Sequence, residues 1–194
     1  LDNLIVIFRP CKYHFKKDIE FVCEISDLYH QSNYDGLYFC LNSNKNHILI
    51  KSLGLVMDGV SVKQYKRLIL DAIEMIKMRH KIAIFFFDQL AKFSPGIGLV
   101  GTVIGLIQVL ISMDKNVSLV NGMSVALITT LYGVILSNLI FQPMAGRLLV
   151  LDQSEERYNL MLLMGFISLL EGCSSLEIKE RMMMVVNSQE VEIK

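Results

Sequence analysis

The sequence predicts an all-α membrane protein with two transmembrane helices and a cytoplasmic helical domain. Three observations lead there. The mean hydropathy of +0.45 is high for a soluble domain, yet 20% of the residues are charged, so a good part of the chain must be wet. Ser94–Met113 (SPGIGLVGTVIGLIQVLISM) and Ser118–Gly146 contain no charged residue, and about 20 apolar residues suffice for a helix to cross a bilayer. Outside these runs, apolar residues recur at spacings of three and four, the period of a half-buried helix. The division that follows is a cytoplasmic helical domain over 1–93, a membrane helix over 94–113, an external turn over 114–117, a second membrane helix over 118–146, and cytoplasmic helices over 147–194.

The elements read as follows. Leu4–Phe8 (LIVIF) is too short to span a bilayer and reads as the tail of an upstream element, so the chain, which starts at Leu1, is expected to be an N-terminally truncated fragment. Ile19, Val22, Ser26 and Tyr29 form one face of a first helix. Tyr34-Asp35-Gly36 predicts a break and Asn42–Asn46 (NSNKN) a polar loop. Leu49, Leu53 and Val56 form the next face, closed by the stop signal Asp58-Gly59. Ser61 can cap the following helix, whose face is Val62, Tyr65, Ile69, Ala72, Ile76, Ala83, Phe86 and Leu90, with His80 as a polar interruption. That helix runs straight into the first uncharged stretch. Asn159–Leu170 (NLMLLMGFISLL) is apolar but half the length of a span, and reads as a core helix packed on cytosolic neighbours.

Thirteen Lys and Arg precede the first span, one lies in the turn and five follow the second span. Cytoplasmic segments carry the excess of positive charge, so both ends of the chain are expected in the cytoplasm and Asp114–Val117 outside. Lys and Arg balance Asp and Glu at 19 each, which leaves no basic footprint for nucleic acid. Cys11, Cys23, Cys40 and Cys173 have no CxxC spacing and read as reduced, buried thiols. No HExxH, GxSxG or P-loop occurs and no histidine pairs with acids at ligand spacing, so neither a catalytic set nor a resident metal or cofactor is expected.

The spans carry the remaining information. Gly98, Gly101, Gly105, Gln108 and Ser112 fall on one face of the first, and Gly122, Ala126, Thr129/Thr130, Gly133 and Ser137 on or near one face of the second. Small residues let helix backbones approach closely. The stripes serve either packing within one chain or an interface with a second protein. Thr102, Thr129 and Thr130 offer hydroxyl oxygens that can help coordinate a small cation, or that bond the carbonyl one turn back in their own helix. Neither span holds an Asp, Glu, His, Lys or Arg. An ion path across a membrane normally uses an intramembrane carboxylate, so any such group must come from a partner helix. Pro95 and Pro143 stand at the cytoplasmic ends of the spans and each lacks an N–H. Pro95 is compatible with a helix start, whereas Pro143 predicts a kink or hinge.

Ser94-Pro-Gly-Ile-Gly-Leu-Val-Gly-Thr-Val-Ile-Gly-Leu-Ile107 resembles the third membrane helix of flagellar stator A subunits, the MotA/PomA family within the wider MotA/TolQ/ExbB group. Gly122–Asn138 (GMSVALITTLYGVILSN), followed by Phe141-Gln-Pro-Met-Ala145, resembles the fourth, and Met164–Gly172 a later cytosolic helix. The resemblance covers roughly residues 10–185 and is strong in the spans. It implies an A subunit with two further membrane helices upstream, set in the bacterial inner membrane. Several copies, thought to be five, would ring a MotB/PomB-like B subunit that supplies the intramembrane Asp. Flux of H⁺ or Na⁺, with no cofactor, would turn the ring against a FliG-like rotor switch protein. Pro95 and Pro143 match the family's two functional prolines, and Thr102, Thr129 and Thr130 match hydroxyls associated with sodium.

The family's rotor-facing Arg and Glu are not kept. Ser32 or Asn33 falls at the Arg and Cys40 or Leu41 at the Glu, so that Lys66, Arg67, Lys77 and Arg79 become the candidate rotor contacts, or else ordinary solvated charges. After Glu171-Gly172 the family's Asn-Pro gives way to Ser174-Ser175. Two alternatives stand beside the stator reading: an ExbB/TolQ-like energiser subunit, disfavoured by Thr-Thr-Leu-Tyr-Gly and Pro143-Met-Ala, and a non-conducting membrane scaffold derived from the family.

Overall fold

The computed structural model describes residues 13–43, 46–113 and 119–186. Leu4–Phe8, Cys11 and the expected turn at 114–117 lie outside the described residues. The order is α1 Phe15–His30, α2 Tyr34–Ser43, α3 His47–Met57, α4 Val62–Met113, α5 Leu119–Ile135, a π-helical turn Leu136–Phe141, α6 Gln142–Leu170 and α7 Ser175–Val185. The chain divides into two compact units. One is Arg79–Leu151; the other combines the described parts of Cys11–Met78 and Asp152–Lys194. The compact units divide at 78/79 and 151/152, since helix–helix packing in the first extends past the uncharged runs, through Phe87, Ala91 and Leu151, all buried.

The second unit has a hydrophobic core assembled from six helices. Ile19, Val22 and Ile25 of α1 meet Leu37 and Cys40 of α2, Leu49 and Leu53 of α3, Tyr65 and Ile69 of α4, Leu162, Phe166 and Leu169 of α6, and Ile178 and Met182 of α7. Burying a side chain of this size contributes about 1.5–3 kcal/mol. The first-helix face holds, with Ile19, Val22 and Ser26 buried and Tyr29 at the core's edge. The Asn159–Leu170 segment is core, as expected, but it is the far half of α6 and not a separate helix. No glycine or proline interrupts α6 between Gly146 and Gly165.

Local signals place the ends. Ser61 Oγ accepts from the Gln64 N–H at 3.4 Å, and Ser174 Oγ accepts from the Glu177 N–H at 3.4 Å, satisfying donors that a helix start leaves open. Asp58-Gly59 ends α3 as expected: Gly59 has φ 69°, its N–H donates to Val56 O and the Val60 N–H donates to Leu55 O, the left-handed cap for which glycine is suited. Two expectations fail. Tyr34-Asp35-Gly36 opens α2 rather than breaking the chain, because Asn33 Oδ1 accepts from the Gly36 N–H at 3.0 Å and starts a helix there. The break lies just before, at Ser32, with φ 56°. Likewise Asn42 and Ser43 still belong to α2, and Asn46 is the N-cap of α3, accepting from Ile48 and Leu49 N–H.

α4 is also read differently in one respect. Pro95 lies inside this 52-residue helix and not at its start. The expected face holds at Tyr65 and Ile69, but Phe86 is 57% exposed while Phe87 is buried. Phe87 is in phase with Ala91, Ser94 and Gly98, at spacings of 4, 3 and 4, all buried. Within the first unit the buried face of α4 therefore runs through Phe87 and not through the expected Phe86.

Candidate functional site

In the first unit α4 and α5 run antiparallel and meet along both small-residue stripes. A Cβ built on Gly105 would lie 2.7 Å from Ala126 N and Gly122 O. One on Gly122 would lie 2.7 Å from a Val109 methyl, and one on Gly133 2.8 Å from Ser94 O and 3.0 Å from Gly98 Cα. One on Gly98 would stand 3.0 Å from Thr129 O, and one on Gly101 2.5 Å from Thr129 Cβ and Oγ1. The stripe is thus used within the chain: Gly98, Gly101, Gly105, Gly122, Ala126 and Gly133 weld these two helices. Packing within one chain, one of the two stripe readings, is present here. The opposite faces are apolar and outward, with Ile97, Leu99, Leu106, Leu110, Leu127 and Leu131 all more than half exposed. Only 11% and 17% of the two apolar windows are buried. Apolar surface of that extent suits lipid or partner helices, not the centre of a soluble core.

The hydroxyls sit in this pair. Thr129 Oγ1 donates to Val125 O at 2.9 Å and to Ala126 O at 3.0 Å, Thr130 Oγ1 donates to Ala126 O at 3.1 Å, and Thr102 Oγ1 donates to Leu99 O at 2.6 Å. Each proton goes to its own helix, the commoner fate of such groups. The lone pairs stay available, and Thr129, packed on Gly101, lies between the helices. Among the described residues no three His, Cys, Asp or Glu side chains stand together as metal ligands.

The prolines act as their chemistry requires. Pro143 follows a π-helical turn, Leu136–Phe141, closed by the Gln142 N–H donating to Ser137 O. The helix absorbs the ring by widening one turn upstream, which is the expected disturbance in a definite form. Pro95 is exposed inside α4, and beside it Ser94 Oγ donates to Leu90 O at 2.6 Å.

Of the candidate rotor contacts, Lys66, Arg67 and Arg79 are exposed, whereas Lys77 Nζ lies 2.6 Å from Glu156 Oε1, which raises its pKa. The positions aligned with the family's Arg and Glu are structural here. Ser32 and Asn33 form the α1–α2 turn, and Cys40 is buried, which raises its thiol pKa. Sequence reading missed one polar network. Tyr158 Oη donates to Asp18 Oδ2 at 2.8 Å and accepts from Asn46 Nδ2 at 2.9 Å, joining α6, α1 and the cap of α3. Burial raises the Asp18 pKa, opposed by the Tyr158 hydrogen bond, and raises that of Tyr158, helped by the nearby Asp18 charge. A tyrosine at the junction of a charged stretch and an apolar one carries no sign of such distant partners.

Comparison with known proteins gives the same reading. Residues 41–159 match the model of the MotA/TolQ/ExbB proton channel family. Motility protein A of Borreliella burgdorferi is 28% identical over 176 residues, covering 91% of this chain and 68% of that protein. Chemotaxis protein PomA of Vibrio alginolyticus is 33% identical over 128 residues, 66% of this chain and 50% of that protein. The structures of C. jejuni MotAB and of the Bacillus subtilis flagellar MotAB stator complex share the fold, with TM-scores of 0.90 and 0.87 at 19% and 24% identity. They cover 100% and 97% of this chain, and 76% and 74% of theirs. These relatives are motility proteins and not ExbB or TolQ. With 119 of its 194 residues and its whole glycine-welded pair inside the matched region 41–159, the chain belongs to the MotA/TolQ/ExbB proton channel family, on its MotA/PomA side.

Proposed function

We propose that this chain is the A subunit of an ion-driven flagellar stator in the bacterial inner membrane, forming with a B subunit the channel whose flux drives the rotor. One observation carries the reading: two closely packed apolar runs, 94–113 and 118–146, that hold no Asp, Glu, His, Lys or Arg of their own. Such a pair builds one wall of an ion path and needs a carboxylate from a partner. A MotB/PomB-like helix with an intramembrane Asp fits, and several copies of this chain, five by analogy, would surround it.

The ion is H⁺ or Na⁺, with the lone pairs of Thr102, Thr129 and Thr130 along its route. Pro95 and Pro143 are the points at which the helices flex. Positive charge at Lys81, Lys92 and Arg147 supports cytoplasmic placement of both ends. Rotor contact falls to exposed Lys66, Arg67 and Arg79 on a FliG-like surface.

The test is to express the protein from its whole gene with its B-type partner and purify the pair from detergent. A stable complex with several A chains per B pair, and swimming that follows the imposed ion gradient, is expected. Well-inserted proteins that neither associate nor support ion-dependent rotation would leave the scaffold reading in its place.

A further inference from the structure

Every described serine and threonine hydroxyl of the paired membrane helices bonds within its own helix, except one. Ser94, Thr102, Ser112, Ser124, Thr129 and Thr130 all donate to carbonyls three or four residues back. Ser137 instead crosses to α4 and donates to Ala91 O at 2.6 Å. Both residues are buried, at 5% and 6% exposure. Ala91 is four residues before Pro95. In an α-helix its carbonyl accepts from the N–H at position 95, and proline has none. Ser137 thus supplies the donor that Pro95 lacks, where bulk water is excluded and an unpaired carbonyl is costly.

The other end of Ser137 is equally placed. Its own carbonyl accepts the Gln142 N–H, the five-residue bond of the π-turn that precedes Pro143. One residue therefore meets the consequences of both prolines, its hydroxyl on one helix and its carbonyl on the other. The register that allows this comes from Gly133, one turn before Ser137, where an added Cβ would lie 2.8 Å from Ser94 O and 3.0 Å from Gly98 Cα. We infer that Ser137 is a positioning residue that joins the Pro95 and Pro143 distortions into a single coupled element through the Ala91 carbonyl. The coupling of flexing in α4 to the π-turn is what the inference adds to the stator reading, on which its functional meaning rests.

The bond can be read directly. Within these 194 residues Ala91-Lys92 is the one Ala-Lys pair, so carbonyl-¹³C alanine combined with ¹⁵N lysine in the A chain, with its B-type partner unlabelled, marks the Ala91 carbonyl by NMR, and loss of the signal in Ala91→Gly confirms its assignment. Ser137→Ala is expected to move this resonance in the direction of a weaker hydrogen bond. In a Pro95→Ala background, where residue 95 regains its N–H, the same Ser137→Ala change is expected to leave it in place. No movement in the first comparison, or equal movement in both, overturns the inference, since a mere packing effect of Ser137 would not depend on residue 95. Should Ser137→Ala not yield folded protein, Ser137→Cys, a weak donor, carries the same comparison. Because the readout is a bond and not flux or torque, its result is independent of whether the stator reading holds.

Discussion

Replacing Gly105 with alanine asks whether the glycine stripe sets the distance between α4 and α5. The added Cβ would lie 2.7 Å from Ala126 N and from Gly122 O, and 2.8 Å from Ala126 Cβ. Comfortable carbon contacts begin near 3.5 Å, so the shortfall is about 0.8 Å. Two of the three obstructing atoms are backbone and the third is a Cβ, so none can swing aside. The helices must separate, and the contacts at Gly98, Gly133 and the Ser137–Ala91 bond loosen with them. Overpacking of this kind costs about 1–3 kcal/mol, against which the better helix propensity of alanine returns up to about 1 kcal/mol. A net loss of up to about 2 kcal/mol is expected.

Gly96→Ala supplies the control, since a Cβ there meets nothing within 4 Å and only the propensity gain remains, up to about 1 kcal/mol. Thermal midpoints of the detergent-solubilised complex, read as loss of its monodisperse chromatographic peak, should rank Gly96→Ala at or above the unsubstituted protein and Gly105→Ala below it. If Gly105→Ala is as stable as Gly96→Ala, the helices are not in backbone contact and the reasoning fails.

Further outcomes are expected in the cytosolic unit. Tyr158→Phe keeps the ring contacts with Tyr13 and Phe15 but leaves Asp18 and Asn46 short of a partner; a loss of about 1–3 kcal/mol in denaturant unfolding is expected. Because burial raises the folded pKa of Asp18, its contribution to stability is full below the unfolded pKa and is lost as pH rises through the folded one. Asp18→Asn should therefore gain on the unsubstituted protein as pH rises across that window, and a difference in midpoint that is flat with pH would contradict this. Ser32→Gly relieves a left-handed serine and should stabilise by about 0.5–1 kcal/mol. Charge reversal at Lys66, Arg67 and Arg79 should lower swimming speed in cells. Lys77→Ala, which breaks the partly exposed pair with Glu156, should barely move the thermal midpoint and leave swimming intact.

Much was legible in the sequence, because some signals need no partner to be read. Two uncharged runs of membrane length, the glycine spacings, the caps at Ser61 and Gly59 and the missing intramembrane carboxylate are local or periodic properties of the chain. The contact phase of α4 was not legible, since Phe86 and Phe87 are equally apolar and only the neighbouring helices decide which one is buried. Nor was the opening of α2, because Asn33 can cap a helix or sit in a loop with equal ease. The Tyr158 network joins residues 112 and 140 positions apart. Ser137 illustrates the limit most clearly. As a small residue in a stripe it reads as packing, and its four-residue spacing from Gly133 says no more. Its choice of Ala91 over its own helix depends on a vacancy created by Pro95 and on the close approach that Gly98 and Gly133 permit. The sequence determines which backbone groups lack a helical partner. Only the tertiary structure decides which side chain comes near enough to meet them, because that choice depends on distances across the chain and not along it.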